Sequence, residues 1–218
     1  SMDGYQFPPV SESDLTSVHA VEALKNLLIN SEEPITIVAI GPLTNIAILL
    51  SSYPEVQNHI KEVIIMGGST GRGNVTPLAE FNIYCDPEAA QVVFNSGLPL
   101  TMVGLDLASK AMFTYDFVKS FKEVNETGRM LYNLFQHYRS EDFDIGVKVY
   151  DVFTILYLLN PQSFIVKEAD VQIELDGKYT KGATVVNFNS QYPNCSVVLS
   201  PIGSEFKDIF LSSLKNCK

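Results

Sequence analysis

The chain has 218 residues, 46% of them hydrophobic, enough to bury a sizeable core in one domain. A formal net charge of -10 at pH 7 argues against nucleic acid and anionic membrane surfaces as partners, and no apolar run reaches the length of a membrane span. Cys85, Cys195 and Cys217 are scattered without metal-ligand spacing and no signal peptide is visible, so a reducing, cytoplasmic location is expected.

Taken in chain order, the pattern alternates helix and strand. Val18, Val21, Leu24, Leu27 and Leu28 recur at helical spacing and predict an amphipathic helix over residues 14–30. Ile35–Ile40 reads as a strand, and Leu43–Ser51 and Glu55–Lys61 as helices around a break at Pro54. Glu62–Met66 follows, with Val63-Ile64-Ile65-Met66 apolar on both faces, as a parallel strand covered by helices would be, and Gly67-Gly68 marks its end. Asp86-Pro87-Glu88 starts a helix with a capping Asp, Pro at the first position and an acid in the first turn, and Gly97 closes it. Leu100–Leu105 is the next buried strand, Asp116–Glu123 and Gly128–Arg139 read as helices, and Asp151–Leu159 as a buried one. Beyond Pro161 strands dominate, with a hairpin signal at Asp176-Gly177 between Val171–Leu175 and Tyr179, and the last helix spans Ser204–Leu214. Without repeats or a linker, residues 1–218 are expected to form a single α/β domain. Its architecture is an open, mostly parallel, Rossmann-like sheet flanked by helices, with a small β-hairpin region near the C-terminus.

The stretch with most chemistry is the Gly/Pro-broken loop Gly73-Asn74-Val75-Thr76-Pro77-Leu78-Ala79-Glu80-Phe81-Asn82. It leaves the end of a buried strand, where open α/β sheets bind ligands. Glu80 and Asn82, two apart, would point to one side of an extended segment and Phe81 to the other. A carboxylate only accepts hydrogen bonds whereas amides donate and accept, so Asn74, Glu80 and Asn82 suit the hydroxyls of a polyol. The same residues also suit a solvated loop in which Asn and Glu only cap turns, and their chemistry leaves both readings open.

The string from Gly73 to Ala90 closely resembles the ribose-binding segment of the inosine-uridine preferring nucleoside hydrolase family. Ala39-Ile40-Gly41-Pro42-Leu43-Thr44-Asn45-Ile46-Ala47 and Ile65-Met66-Gly67-Gly68 resemble two further family blocks in the right order. The resemblance implies a calcium-dependent ribonucleoside hydrolase that cleaves the N-glycosidic bond with water, serves nucleoside salvage and is commonly a homodimer or homotetramer. It makes Asn74, Glu80 and Asn82 ligands of the ribose hydroxyls and packs Met66 beside the sugar. It assigns calcium to the carboxylate of Asp151 and the backbone carbonyl of Ile40, and a small-molecule ribonucleoside becomes the expected partner.

Two departures stand beside these matches. The family begins with an Asp-rich D-x-D-P-G-x-D-D motif that supplies most calcium ligands and the base that activates water. Ser1-Met2-Asp3-Gly4-Tyr5-Gln6-Phe7-Pro8-Pro9 is nothing like it and resembles instead a segment leading into a mid-domain helix, so the front of the fold is expected to be missing. The second departure is Tyr150, in the place where the family usually has a His that protonates the leaving base. A Tyr hydroxyl, with an ordinary pKa of about 10, is a weak acid at neutral pH. A half-buried aromatic at a helix start and a helix N-cap are the plain structural roles open to Tyr150 and Asp151. Of His19, His59 and His137, which form no ligand cluster, only His137 falls by resemblance over the base pocket. Asp106 is expected to support the site structurally, Arg72 to be solvated and Asn45 to serve its own turn. Two functions from different classes follow: a ribonucleoside hydrolase impaired in this chain, or a non-catalytic relative that binds or interacts through the same fold.

Overall fold

The computed structural model describes Ser11, residues 18–138 and residues 146–218. Its elements in chain order are α1 (Ala20–Ile29), β1 (Ile35–Ala39), α2 (Thr44–Ser52), β2 (Ile60–Met66), α3 (Phe81–Cys85), α4 (Pro87–Phe94), β3 (Leu100–Val103) and α5 (Leu105–Lys110). They continue with α6 (Tyr115–Ser120), α7 (Glu126–Tyr138), α8 (Val152–Leu159), β4 (Phe164–Ile173), β5 (Thr184–Asn187), β6 (Cys195–Pro201) and α9 (Glu205–Lys215).

The strands form one sheet in the order β1-β2-β3-β6-β4-β5. β1, β2, β3 and β6 run parallel, whereas β4 is antiparallel to both β6 and β5. Alternation along β2 explains the layers: Val63 and Ile65 enter a core with α1, α2 and α4, and Ile64 enters a second core with α5, α6, α8 and α9. Each of these fully buried side chains contributes about 1.5 to 3 kcal/mol of burial energy. In the second core the Phe113 ring meets Phe117 edge-on at 4.9 Å and Phe210 at 5.0 Å, which ties α6 to α9.

The open α/β sheet expected from sequence is present, with several local differences. The helix expected over 14–30 is described only as Ala20–Ile29, and residues 12–17 lie outside the described residues, as does Arg139. Residues Pro54–His59 form a 3-10 turn rather than a helix reaching Lys61, because β1 recruits Ile60 into the sheet opposite Ile35. β3 stops at Val103, and Leu105 and Asp106 belong to a helix that sequence reading missed. The expected hairpin region near the C-terminus is present as the antiparallel pair β4 and β5, but it joins the main sheet, since β6 docks on β3 and β4 pairs with β6 over Phe164–Ala169, and Asp176-Gly177 is no tight hairpin turn. Instead Thr180 and Lys181 donate to the Gly177 carbonyl and Gly182 to that of Glu174, so residues 174–183 make a longer connection between β4 and β5.

Candidate functional site

The carboxyl ends of three adjacent parallel strands meet at Ile40, Gly67-Gly68 and Gly104. Gly68 turns the chain with φ +72, and a Cβ there would lie 2.8 Å from Thr184 Cγ2 and 2.9 Å from Met102 Sδ, so only glycine fits. The loop that follows is closed on itself. Gly73 donates to the Pro77 carbonyl at 3.0 Å, Asn74 and Val75 donate to the Ala79 carbonyl at 3.1 and 3.2 Å, and Thr76 Oγ1 accepts from Ala79 N at 2.9 Å.

Glu80 is not in an extended segment: it is the N-cap of α3, which places Asn82 in a first helical turn. The residue is 3% exposed. Oε2 alone accepts three backbone N–H groups, from Gly68 at 3.0 Å, Asn82 at 2.9 Å and Ile83 at 3.2 Å. Among the described residues Oε1 accepts none, which leaves one oxygen held by protein and one for a ligand. Asn82 is buried, and its Nδ2 donates to the Met66 carbonyl at 2.9 Å and lies 3.3 Å from Met66 Sδ, so its Oδ1 is the available group. Asn74 is the reverse: Oδ1 accepts the Phe81 N–H at 2.9 Å, which leaves Nδ2 to donate. The trio therefore offers two acceptors and one donor, a more definite pattern than residue types imply.

Burial pushes the Glu80 carboxyl above its ordinary value, its three N–H partners oppose that shift, and the negative charge of Asp151 adds to it. Asp151 is itself raised, because the protein partly dehydrates its carboxylate although the residue is exposed. It stands at the N-cap position of α8 without capping it; Thr154 Oγ1 donates to the Asp151 carbonyl at 2.6 Å instead. The carboxylate is thus not used by the helix.

Tyr150 is half-buried and, with Asp151, Leu134, Phe135, Tyr138 and Val149, lines a cavity of about 400 Å³. His137 is exposed on α7 and is not part of that wall, whereas its neighbour Tyr138 is. His19 caps α1 through Nδ1 to Val21 N at 3.3 Å. Asp106 accepts from Ser69 Oγ at 3.2 Å and from Thr70 N at 2.6 Å, so it braces the turn after Gly68. Thr44 Oγ1 donates to Asp86, whose other oxygen caps α4 through Ala89 N, and this links two of the sequence blocks.

The residues that could ligate calcium do not by themselves fit it. Among the described residues no group of three or more His, Cys, Asp or Glu side chains is placed to hold a metal. The Asp151 carboxylate and the Ile40 carbonyl fall well short of the about six to eight oxygens calcium takes. No helix among the described residues is long and apolar enough to cross a membrane.

Comparison with known proteins shows the family. The family model for inosine-uridine preferring nucleoside hydrolases matches residues 1–208, and the chain belongs to that family. It is 46% identical over 202 residues to the non-specific ribonucleoside hydrolase RihC of Salmonella newport, across 91% of this chain and 66% of that protein. The chain therefore spans about two thirds of the length of the curated relatives it matches. Among solved structures it is similar to the purine-preferring ribonucleoside hydrolase from Gardnerella vaginalis, with TM-score 0.84, 26% identity, and 95% and 68% of the two chains covered. A plant nucleoside hydrolase superposes with TM-score 0.85 and 25% identity, over 98% of this chain and 72% of the other.

Proposed function

We propose that the chain carries the sugar-binding side of a ribonucleoside hydrolase, an N-glycosidase that releases ribose and a free purine or pyrimidine base. The observation that carries this reading is the divided Glu80 carboxylate, with Oε2 accepting three N–H groups and Oε1 accepting none among the described residues. A buried carboxylate so held makes one short, oriented hydrogen bond to a hydroxyl, while Asn82 Oδ1 accepts from a second and Asn74 Nδ2 donates to a third.

In the reaction the bond from the anomeric carbon to the base nitrogen breaks with its electron pair going to the base. The sugar becomes oxocarbenium-like, and water adds to that carbon. The acceptors of Glu80 and Asn82 bind most tightly as positive charge develops on the ring, and the nearby Asp151 charge favours the same state. Tyr150 holds a proton on its hydroxyl in the wall beside Asp151 and donates a hydrogen bond to the leaving base, more weakly than a His near neutrality would. Calcium, which the resemblance implies, would orient and acidify the water, with Asp151 and the Ile40 carbonyl as its ligands on this chain. Among the described residues those two do not complete a site, and water activation is the step we propose to be impaired.

A second reading, a nucleoside hydrolase-like protein that binds without catalysis, draws on the same shortage of metal ligands and on Tyr150. Under both readings the protein acts in the cytoplasm as a homodimer or homotetramer. Calorimetry with ribose, and ribose release from inosine and uridine with and without calcium, test both. Ribose binding with only trace hydrolysis is expected from the purified 218-residue chain. No ribose binding would overturn the sugar-site reading, and vigorous calcium-dependent hydrolysis would overturn the impairment.

A further inference from the structure

We infer that β5 is a clasp for the sugar-binding loop and that Thr184 is a positioning residue for Glu80; this rests on the ribose-binding reading of Glu80 above. The loop begins at Ser69 and ends at Ala79, and two consecutive residues of one strand region hold both ends. Ala183 forms an isolated antiparallel bridge with Ala79 at the downstream end. Thr184 holds the upstream end through one hydroxyl, which accepts the Ser69 N–H at 2.9 Å and donates to the Ser69 carbonyl at 2.6 Å. That hydroxyl imitates the paired donor and acceptor of a strand partner, 115 residues away in sequence. β5 pairs on one side with β4, where Thr184 stands opposite Ile173. The Ala79 bridge and the Ser69 hydrogen bonds extend its contacts to the loop.

The fit around the clasp is close. Ser69 is buried, so without Thr184 its backbone N–H and carbonyl would lose the partner they have among the described residues and meet little water. The Thr184 methyl fills the space that a Cβ on Gly68 would take, 2.8 Å away, and so packs against the peptide whose N–H bonds to Glu80 Oε2. At Gly182, with φ +81, a Cβ would lie 3.0 Å from Tyr84 Cα, so glycine lets the entry to β5 lie against α3, the helix that Glu80 caps. Asp106 grips the Ser69 side chain and Thr70 from α5. Thr184 bonds the Ser69 N–H and carbonyl, while on the other side of the same peptide the Gly68 carbonyl accepts the Leu105 N–H at 2.9 Å. Moving that peptide moves the Gly68 N–H away from Oε2, and Oε1 loses its aim at the sugar.

The test uses the 218-residue protein with Thr184→Val, which keeps the shape and removes the hydroxyl, and Thr184→Ser, which restores the hydroxyl without the methyl. Amide hydrogen exchange is read at Gly68, Asn82 and Ile83, the donors to Glu80, and at Ala47 and Val118 in distant helices. Thr184→Val is expected to speed exchange at the three site amides by roughly 10-fold or more, to leave the two distant amides unchanged, and to weaken ribose binding by a similar factor. Thr184→Ser should return exchange and affinity most of the way to the parent. Site amides that exchange at the parent rate in Thr184→Val, or a Thr184→Ser protein no better than Thr184→Val, would overturn the clasp. A parent that fails to bind ribose while Thr184→Val still loosens the three amides would overturn the ribose reading and leave the clasp standing. If Thr184→Val does not fold, Thr184→Ala is read at lower temperature against the same outcomes.

Discussion

Glu80 Oε2 accepts the Gly68 N–H at 3.0 Å across 12 positions of sequence, so the end of β2 and the start of α3 share one carboxylate oxygen. That oxygen is both a helix cap and a brace for the strand end.

Glu80→Ala should accordingly lose stability as well as ribose. The substitution strips the acceptor from three backbone donors, two of which begin a helix. A cost of at least about 2 kcal/mol is expected, since an unsatisfied buried donor costs about 1 to 3 kcal/mol. Urea unfolding measures it. Glu80→Gln, which keeps an oxygen for the N–H groups, should remain folded but bind ribose more weakly, because the free group is no longer a charged acceptor.

The pH dependence follows from the direction of the Glu80 shift. Its folded value is raised above the ordinary 4.5, chiefly by burial, so the folded state favours the protonated carboxyl. The corresponding stabilisation is fully present below pH 4.5 and is lost as pH rises through the folded value. At neutral pH Glu80→Gln should thus melt above the parent, and its advantage should shrink as pH falls through the Glu80 folded value. Asp151, raised from 3.8 by dehydration, acts in the same sense in both proteins, and its charge adds to the Glu80 shift only in the parent. Calorimetric melting from pH 4 to 8 would contradict this if the two curves stayed parallel.

Gly73→Ala should open the loop. A Cβ at Gly73 would lie 2.2 Å from the Ala79 carbonyl oxygen and 2.4 Å from the Ala79 nitrogen, backbone atoms that cannot swing aside. Overpacking of this kind costs about 1 to 3 kcal/mol. Because Ala79 O accepts from Asn74 N, the displacement should also carry Asn74 away from the site. The check is a lower melting temperature together with weaker ribose binding; a variant with parent affinity would show that Asn74 does not contact the sugar.

Tyr150→His tests the proton donor. In protein that hydrolyses nucleosides measurably, the His variant should cleave inosine about 10²-fold faster, the low end for positioned acid catalysis. A nitrophenyl riboside, whose leaving group departs without a proton, should change little. If both substrates respond equally, Tyr150 acts by shaping the cavity beside Asp151 rather than by donating to the base.

Much of the scaffold was legible in the residues alone. Val63-Ile64-Ile65-Met66 announced a strand buried on both faces, and Asp86-Pro87-Glu88 marked the start of α4, because both signals are local: side-chain alternation, a fixed Pro φ and a capping carboxylate. The three polar residues of the loop could be chosen as candidates for the same reason, since their types and spacing lie in one short string. Which of their atoms remain free could not be read there. That Glu80 spends Oε2 on Gly68, that Asn82 gives Nδ2 to Met66, and that Asn74 commits Oδ1 to the Phe81 N–H depend on where β2 and α3 lie relative to each other. The β-rich tail shows the same limit at longer range. Its strands carry a period that places them in some sheet, but pairing between residues so far apart in sequence leaves no local mark, so β6 on β3 and Thr184 on Ser69 were decided only when the chain packed. Local periodicity and capping set the elements; the hydrogen bonds left over after packing decided which groups face the ligand.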